Sequence, residues 1–362
     1  MSTQAWPNLA PGAAALLVGT FATWLVRTFA RRFGIVNKPN PIVPQHTRPV
    51  AYLGGVGLGL GVACGVLILL AWFRPDFDAI GLPWAGVWIP AALYLALGVY
   101  DDLVALPPAR KFLFQAAVAA LAVALGQWSP VFGVPVIDRV VCWFWIVTLV
   151  NAFNLTDVCD GLLGSLSAVT FLFFALAFHA LTPLCVVLIA SCCGFLVFNR
   201  PPATIFMGDA GSHLLGALAA TLTIAGARAG SIDPFPTVLV SVLLVGVPLF
   251  ELAFLVVVRT RKGLAWWRGS PDHFSLRMQA GGFTRFQTDA IACGFAALFG
   301  VGALGVQRSG LTGRLAIVAG AALASALAAR QLLKWEVKRP PRPGTAAAPA
   351  ASTATGDQPH PV

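Results

Sequence analysis

Charged residues are scarce in this chain of 362 residues. Only 10% of its residues are Asp, Glu, Lys or Arg, whereas 58% are hydrophobic. A soluble domain carries roughly a quarter charged residues, so the scarcity excludes a water-soluble globular protein. The near-continuous apolar runs are long enough to cross a bilayer, and the chain is therefore predicted to be organised as membrane spans.

Several common functional signatures are also missing. The seven cysteines fall almost wholly within apolar runs, without metal-ligand spacing, and indicate neither a metal site nor a disulfide framework. The glycine-rich stretch 54–59 lacks the Lys-Ser/Thr ending of a phosphate loop, and close helix packing is the favoured interpretation. The first apolar stretch has no basic segment before it, so we expect no cleavable signal peptide.

Hydropathy predicts an all-α, polytopic transmembrane bundle of about ten or eleven helices. Residues 1–335 are expected to form this membrane domain. Residues 336–362, rich in Pro, Ala and Thr, are expected to form a disordered cytoplasmic tail. The predicted spans are 9–30, 51–73, 85–100, 111–127, 136–153, 161–180, 183–199, 211–228, 236–258, 288–306 and 312–331.

Basic residues predict the orientation of this bundle. Lys and Arg number 24, against 14 Asp and Glu. On one predicted side the loops hold nineteen of the 24, and the other side holds Arg74, Arg139, Arg228, Arg308 and Arg314. Because Lys and Arg concentrate in cytoplasmic loops, the N-terminus is predicted outside and the C-terminus inside. The same rule explains the basic net charge without a nucleic-acid partner.

Polar residues cluster at the predicted cytoplasmic ends of the spans. Asp101 and Asp102 end the third span, and Asn199 and Asp209 lie between the seventh and eighth. Ionisable groups at membrane depth are costly unless they line a wet cavity. An acidic pair alone more often belongs to a solvated loop, but adjacent carboxylates are also found where a divalent cation is bound or a proton is transferred. Lys111 supplies a charge suited to phosphate.

The strongest single motif ends the fifth span. Asn151, Asn154, Asp157 and Asp160 recur at every third position before Gly161, so neighbours in the series lie side by side on a helical turn. Four carboxylate and amide side chains in an otherwise apolar region are hard to explain by packing. This motif favours a functional site over a structural one.

A third motif spans residues 206–212. Gly208 and Gly211 let the backbone approach a ligand, and Asp209 falls near the start of the next helix, where a metal ion can be held. Phe206 is placed to stack on a base, although a lone aromatic residue is more often part of a core. With the two earlier motifs, this one completes a set on one predicted side of the membrane.

These three motifs, in this order and topology, resemble those of the polyprenyl-phosphate N-acetylhexosamine-1-phosphate transferases. The resemblance extends from about residue 30 to residue 290. It implies Mg²⁺, with Mn²⁺ as the alternative, held chiefly by Asp209 together with Asn154. It also implies a UDP-sugar donor, a polyprenyl phosphate acceptor in contact with membrane lipids, and a bacterial inner membrane with the active site facing the cytoplasm. Members of the family often pair, which leaves a homodimer open.

The resemblance also assigns roles to individual residues. Uracil is expected to stack on Phe206 near Asn199 and Asp160, and Asp101 and Asp102 to orient or deprotonate the lipid phosphate. Gln115 matches a family position downstream of the acidic pair, and His46 falls in a basic motif expected to touch phosphate or nucleotide. The catalytic candidates are Asp101, Asp102, Lys111 and Asp157; the substrate-binding candidates are Asn151, Asp160, Asn199, Phe206, Arg48, His273 and Arg277.

One segment departs from the family pattern. Relatives carry Pro-Asp-Arg-x-His-x-His-His in the last large cytoplasmic loop, whereas Ser275 and Arg277 stand in this chain where the first two cluster histidines are expected. That loop is thought to meet the sugar and the diphosphate in the family, so the departure leaves the donor sugar open. Arg277 is expected to contact the diphosphate with two hydrogen bonds.

Two other classes of protein compete with the transferase. An ion- or proton-coupled transporter also uses intramembrane acids, but it would place them near the bilayer midplane and show internal repeats, and neither is evident. A phospholipid synthase would space its acids as the alcohol phosphatidyltransferases do, which this chain does not. The favoured reaction is attack by a lipid phosphate on the phosphorus next to the sugar of a UDP-sugar, with release of UMP.

Overall fold

The computed structural model describes residues 6–39, 47–73, 83–229 and 234–337. These residues form thirteen α-helices, one short 3-10 turn (His179–Leu181) and a two-stranded sheet. The helices are α1 (Trp6–Arg32), α2 (Gly54–Phe73), α3 (Trp84–Val104), α4 (Pro108–Ala124), α5 (Pro135–Thr156), α6 (Leu162–Ala177), α7 (Thr182–Asn199), α8 (Gly208–Ala229), α9 (Pro234–Leu244), α10 (Gly246–Arg261), α11 (Phe274–Ala280), α12 (Arg285–Arg308) and α13 (Leu311–Leu332).

The prediction of a polytopic helical membrane protein is confirmed. Within the described ranges, eight helices are long and apolar enough to cross a membrane: α1, α2, α3, α5, α7, α8, α12 and α13. A ninth span arises if α9 and α10, bent by 74° at their junction, are counted as one broken helix. The predicted count of ten or eleven is higher because it included α4 and α6. At 17 and 16 residues, these helices extend about 25 Å, less than the roughly 30 Å hydrocarbon core.

Short as it is, α4 runs antiparallel to both of its neighbours. Near its start, Lys111 meets Asp101 at the end of α3. Four residues later, the backbone carbonyl of Gln115 accepts a hydrogen bond from the Tyr94 hydroxyl at 2.8 Å, and Ala116 accepts one from the indole of Trp143 at 2.9 Å. As α4 advances, its partner residues on α3 and α5 have lower and lower sequence numbers, as expected for antiparallel neighbours. The end of α3, the start of α4 and the end of α5 therefore lie together.

Helix α8 occupies the centre of the bundle, and 94% of the residues in its most apolar stretch are buried. Two glycines on neighbouring helices allow backbones to touch its first turn. A Cβ atom on Gly55 of α2 would lie 2.0 Å from the backbone nitrogen of Gly211, and one on Gly98 of α3 would lie 2.4 Å from Cα of Ala210. Only glycine permits such approaches, which confirms that the glycine-rich stretch 54–59 serves helix packing.

A small sheet fixes the loop that precedes α8. Strands β1 (Val36–Asn37) and β2 (Val50–Ala51) pair antiparallel, and Ala51 forms a parallel bridge with Ile205. The backbone N–H of Phe206 donates to the carbonyl of Ala51, and that of Gly54 donates to the carbonyl of Phe206, both at 2.9 Å. Residues 205–207, which precede Gly208 and Asp209, are therefore held against the N-terminal end of α2.

Candidate active site

A cavity of about 550 Å³ opens at the end of the bundle where α5 and α7 end and α8 begins. This size is within the range of small-molecule sites, which is roughly 300–1,000 Å³. Predicted site residues make up much of its wall: Arg48, Asn154, Asp157, Asp160, Asn199, Phe206, Asp209 and His273. The structure thus gathers at one cavity side chains that are separated by more than two hundred positions in the sequence.

Lys111 meets carboxylates from two other helices beside this cavity. Its ammonium lies 2.9 Å from Oδ2 of Asp101 and forms an ion pair with Asp209. Asn154 faces the same group, with its Oδ1 3.5 Å from the ammonium and its Nδ2 donating to Oδ1 of Asp209 at 2.7 Å. Oxygens from α3, α5 and α8 therefore surround one cationic position.

Asp102 lies behind the cavity wall and caps α8. Its two carboxylate oxygens accept hydrogen bonds from the backbone N–H groups of Asp209 (2.8 Å) and Ala210 (3.2 Å). An anion at a helix N-terminus satisfies unpaired N–H groups and is favoured by the helix dipole. Gly208 has φ of +73°, and a Cβ there would lie 2.4 Å from Asp102, so glycine is required at this contact. Asp102 thereby fixes the position of Asp209.

Asp101 is also set back from the cavity. Its Oδ1 accepts the backbone N–H of Leu106 at 2.6 Å, while Oδ2 pairs with Lys111. Neither member of the predicted acidic pair lines the cavity, although the structure places both beside residues that do. Their contacts support the side chains of Lys111 and Asp209.

The turn between α5 and α6 is joined to the loop between α7 and α8. Gly161, with φ of +78°, donates its N–H to Oδ1 of Asn199 at 3.0 Å, and Nδ2 of Asn199 donates to the carbonyl of Ile205 at 2.9 Å. Asp160 accepts the N–H of Ala203 at 3.0 Å and pairs with Arg285 of α12. Asp160 and Asn199 thus hold the two motif loops together at the cavity.

Negative charge accumulates at the base of the cavity. Desolvation, followed by the charges of Asp209, Asp102 and Asp160, raises the pKa of Asp157 well above its usual range. Burial and the nearby carboxylates also raise the pKa of Tyr52, which lines the cavity beside Phe206. A site with this electrostatic character favours a bound cation or a proton.

Mg²⁺ fits the oxygen donors at this position. No group of three or more His, Cys, Asp or Glu side chains converges on one point among the described residues, so a cage made wholly of protein ligands is absent there. Mg²⁺ in phosphate-transfer sites is usually held by one or two carboxylates, with water and substrate phosphates completing its shell. Asp209 and the amide oxygen of Asn154 would supply such a partial set.

His273 enters the cavity from the loop before α11. Its Nδ1 lies 2.6 Å from Oε1 of Glu251, and the other oxygen of Glu251 accepts the backbone N–H of Phe274 at 3.1 Å. Glu251 is buried within α10. Sequence reasoning missed this residue, although a carboxylate inside an apolar span was a signal that could have found it.

Two predicted substrate contacts lie away from the cavity. Asn151 sits one turn before Asn154 and donates to Oε1 of Gln115 at 2.9 Å. Arg277 is buried and bonds to Asp272 and to backbone carbonyls near the end of α13. The structure does not bring either side chain to the cavity wall.

Other lining residues had no assigned role in the sequence analysis. Tyr52 follows β2 and belongs to no motif, and Arg285 is one of the many basic residues that the positive-inside rule explains without a specific role. Gln279 on α11 also faces the cavity and donates to Sγ of Cys159 at 2.9 Å. His46 and the predicted tail from Lys338 onward lie outside the described residues.

The chain has relatives among membrane phospho-sugar transferases. Residues 84–227 match the sequence pattern of glycosyl transferase family 4. The chain is 33% identical to the decaprenyl-phosphate N-acetylglucosaminephosphotransferase of Mycolicibacterium smegmatis, over 70% of either chain. It is 32% identical to a probable undecaprenyl-phosphate N-acetylglucosaminyl 1-phosphate transferase of Bacillus subtilis, over 68% of this chain and 70% of the relative.

A more distant relative has the same type of activity in its name. The undecaprenyl-phosphate alpha-N-acetylglucosaminyl 1-phosphate transferase of Escherichia coli K12 is 26% identical over 75% of this chain and 76% of its own length. Residues of the second and third motifs line the cavity, and the matched region contains the acidic residues around Lys111. The chain belongs to glycosyl transferase family 4, as one of its multi-pass membrane enzymes that transfer a sugar 1-phosphate to a lipid phosphate.

Proposed function

We propose that this enzyme transfers N-acetylglucosamine 1-phosphate from UDP-N-acetylglucosamine to a polyprenyl phosphate such as undecaprenyl phosphate, and releases UMP. The observation that carries the proposal is that Lys111 meets Asp209 and Asn154, two residues of the cavity wall. The donor is inferred from the names of the relatives, which act on N-acetylglucosamine.

The proposed reaction is a phosphoryl transfer between two anions, for which the cavity must provide positive charge. An oxygen of the lipid phosphate attacks the phosphorus next to the sugar, a new P–O bond forms, and the bond to the UMP oxygen breaks. Two anions must approach each other, and positive charge near the phosphates is needed to offset their repulsion. Lys111 supplies one such charge. Mg²⁺, held by Asp209 and Asn154, would supply more and stabilise the charge that develops on UMP.

Residues around the cavity divide the remaining tasks. Phe206 offers a ring on which uracil can stack, and Arg48 and Arg285 provide positive charge at the cavity wall. Asp157, whose pKa is raised, is placed to accept a proton from the monoanionic form of the acceptor phosphate. Asp101 and Asp102 act as positioning residues for Lys111 and Asp209.

The assay for this function follows both products. Purified enzyme is mixed with undecaprenyl phosphate, Mg²⁺ and each of three donors: UDP-N-acetylglucosamine, UDP-N-acetylgalactosamine and UDP-N-acetylmuramoyl-pentapeptide. We expect UMP and a lipid-linked sugar diphosphate with the first donor, and loss of both products in a chelator. Turnover with another donor alone would refute the proposed sugar. Solute uptake into vesicles without UMP release would favour a transporter.

The proposed location is the bacterial inner membrane with the cavity facing the cytoplasm. Asp101, Lys111 and Asp209 meet at the end of the bundle that holds most basic loop residues, in agreement with the positive-inside rule. Sealed inside-out vesicles should therefore use externally added donor without detergent, whereas right-side-out vesicles should need permeabilisation. The reverse pattern would contradict this orientation. Crosslinking in the same vesicles would show whether two chains pair.

A further inference from the structure

The loop that carries His273 is attached to the bundle on two sides. On one side, Glu251 contacts the imidazole and the backbone N–H of Phe274. On the other side, Oδ1 of Asp272 accepts hydrogen bonds from Nζ of Lys262 at 2.7 Å and from Nη2 of Arg277 at 2.6 Å. The residues immediately before and after His273 are therefore both fixed, and the imidazole is held at the cavity wall.

Arg277 extends this attachment to the C-terminal helix. Its Nη1 donates to the carbonyl oxygens of Leu332 (3.2 Å) and Trp335 (3.1 Å), and its Nε donates to the carbonyl of Asp272 (3.3 Å). The side chain is 1% exposed, and its guanidinium lies 5.7 Å from the ring centroid of Phe254. All three guanidinium nitrogens thus bond to protein acceptors.

Trp335 completes the junction between α13 and the loop. Its ring packs edge-on against Phe283 with centroids 5.6 Å apart, and a Cβ on Gly281 would lie 2.5 Å from the indole. Helix α11 has only seven residues, and isolated helices shorter than about 12 residues are marginal in water. The position of α11 therefore depends on these tertiary contacts.

We infer that Arg277 is a positioning residue, which couples the end of α13 to the active-site loop and keeps His273 directed into the donor cavity. A guanidinium is a planar fork with five N–H donors, so it can hold a carboxylate and three backbone carbonyls at once. A lysine ammonium at the same place would keep the charge but lose the fork. This inference rests on the proposed function only for the identity of the donor.

The kinetic test is a double-mutant cycle between Arg277 and His273. Arg277→Gln removes the charged hydrogen bonds that fix the loop of His273, so it should raise the KM for UDP-N-acetylglucosamine by about tenfold or more. The KM for the lipid acceptor should change by less than about twofold. In a His273→Ala background, Arg277→Gln should add less than about twofold, because residues that act through one another are not additive.

Multiplicative effects in this cycle would overturn the inference, because they would mean that Arg277 acts on the donor independently of His273. Wild-type kinetics in Arg277→Gln would overturn it as well. Arg277→Lys supplies a second variant that keeps the buried positive charge beside Asp272. It should fold in the membrane and still show a raised donor KM; full activity with lysine would contradict the need for the fork.

Two shortened chains separate the role of α13 from that of the residues after it. A chain that ends after Val337 keeps Leu332 and Trp335 and should match the wild-type donor KM. A chain that ends after Leu333 lacks Trp335 and should reproduce the shift seen in Arg277→Gln. An unchanged donor KM in the shorter chain would overturn the part of the coupling that runs through Trp335.

Hydrogen exchange distinguishes a failure of this inference from a failure of the proposed function. Without any substrate, Arg277→Gln and the chain that ends after Leu333 should exchange faster than the wild type at residues 272–279, and α8 should be unaffected. Unchanged exchange at that loop would overturn the inference. If the wild type did not use UDP-N-acetylglucosamine, the proposed donor would be wrong, yet this measurement would still test the coupling.

Discussion

The two ends of the helical bundle both hold carboxylates that are wholly or partly buried, but these carboxylates have different kinds of partner. At the end opposite the cavity, Asp138 is 1% exposed and accepts the backbone N–H groups of Val131 (3.0 Å) and Phe132 (2.7 Å), in the loop just before its own helix. At the cavity end, Asp209 pairs with Lys111 and Asn154, which lie on other helices.

Local and long-range pairing have different consequences. A carboxylate that accepts N–H groups from its own loop closes that loop, and any ligand would have to displace those bonds. Carboxylates that meet across helices beside a cavity can share a cation with a ligand. Burial of an acid therefore does not distinguish the two ends of this protein, whereas the convergence of acids from distant segments does.

The largest effect is expected for Asp209→Asn. The substitution keeps the side chain's size and removes the charge proposed to hold the metal ion, so turnover should fall by about 10³-fold or more. Rates of UMP release measure this fall. Folding should survive, since Asp102 still caps α8. The matched control is Asp138→Asn, and a similar loss of turnover there would erase the distinction between the two ends.

A smaller loss of activity, with a gain in stability, is expected for Asp157→Asn. Removal of the proposed proton acceptor should lower kcat by about 10²-fold. Because the folded protein raises the pKa of Asp157, the wild type loses stability as pH rises through that pKa. The neutral amide avoids this loss. The variant should therefore melt at a higher temperature than the wild type at pH 7 to 8 in a chelator.

The stability gain expected for Asp157→Asn has a control, Asp272→Asn, for which a loss of stability is expected. As pH falls toward the unfolded value of about 4 for Asp, the advantage of Asp157→Asn should vanish. Burial raises the pKa of Asp272, but hydrogen bonds and charges of Lys262 and Arg277 more than offset it and hold that pKa below its usual value. Asp272→Asn should accordingly be less stable than the wild type at neutral pH. Equal signs in the two variants would contradict the assignment.

A moderate effect is expected for Phe206→Ala. Stacking of a base on an aromatic ring is worth about 1–3 kcal/mol, so the donor KM should rise by roughly tenfold, with a smaller change in kcat. Donor-saturation curves test this, and free UMP should lose affinity as an inhibitor by the same factor. Phe132, exposed at the opposite end, gives the matched Phe132→Ala control, which should leave both constants unchanged.

The smallest effect is expected for Asp138→Asn, which should lower the stability of the protein without changing its activity. The amide can keep one acceptor but loses the charge on the hydrogen bonds to Val131 and Phe132, which should cost about 1–2 kcal/mol. Thermal unfolding in detergent would show the loss, while kcat/KM stays at the wild-type value. A change in donor KM would imply that this end of the bundle also contributes to catalysis.

Sequence reasoning could predict the meeting of the motifs because each motif ends or begins a span. Successive helices from α3 to α8 alternate in direction, and the short α4 and α6 take part in this alternation. Every second connection therefore lies at one end of the bundle, which Asp101, Asn154 and Asp209 share. The geometry beyond that was not predictable. Asp102 caps α8 only because Gly98 lets α3 touch its first turn, and such a backbone contact leaves no motif in the sequence.

Arg277 shows a second limit of sequence reasoning. Its acceptors at Leu332 and Trp335 are backbone carbonyls more than fifty residues away, and any residue type can supply a carbonyl. The family resemblance therefore favoured a phosphate contact at a position that the fold uses to hold two elements together. The short helices α4 and α6 illustrate the same point for span counting, since hydropathy does not report where a helix ends.

Counting the bound divalent ions tests most directly the claim that the acids at the cavity end form one site. Mn²⁺ can replace Mg²⁺ and be followed by electron paramagnetic resonance in purified protein saturated with UDP-N-acetylglucosamine. One tightly bound ion per chain is expected in the wild type and in Asp138→Asn, and none in Asp209→Asn. Tight binding that persists in Asp209→Asn, or two independent ions per chain, would contradict this expectation.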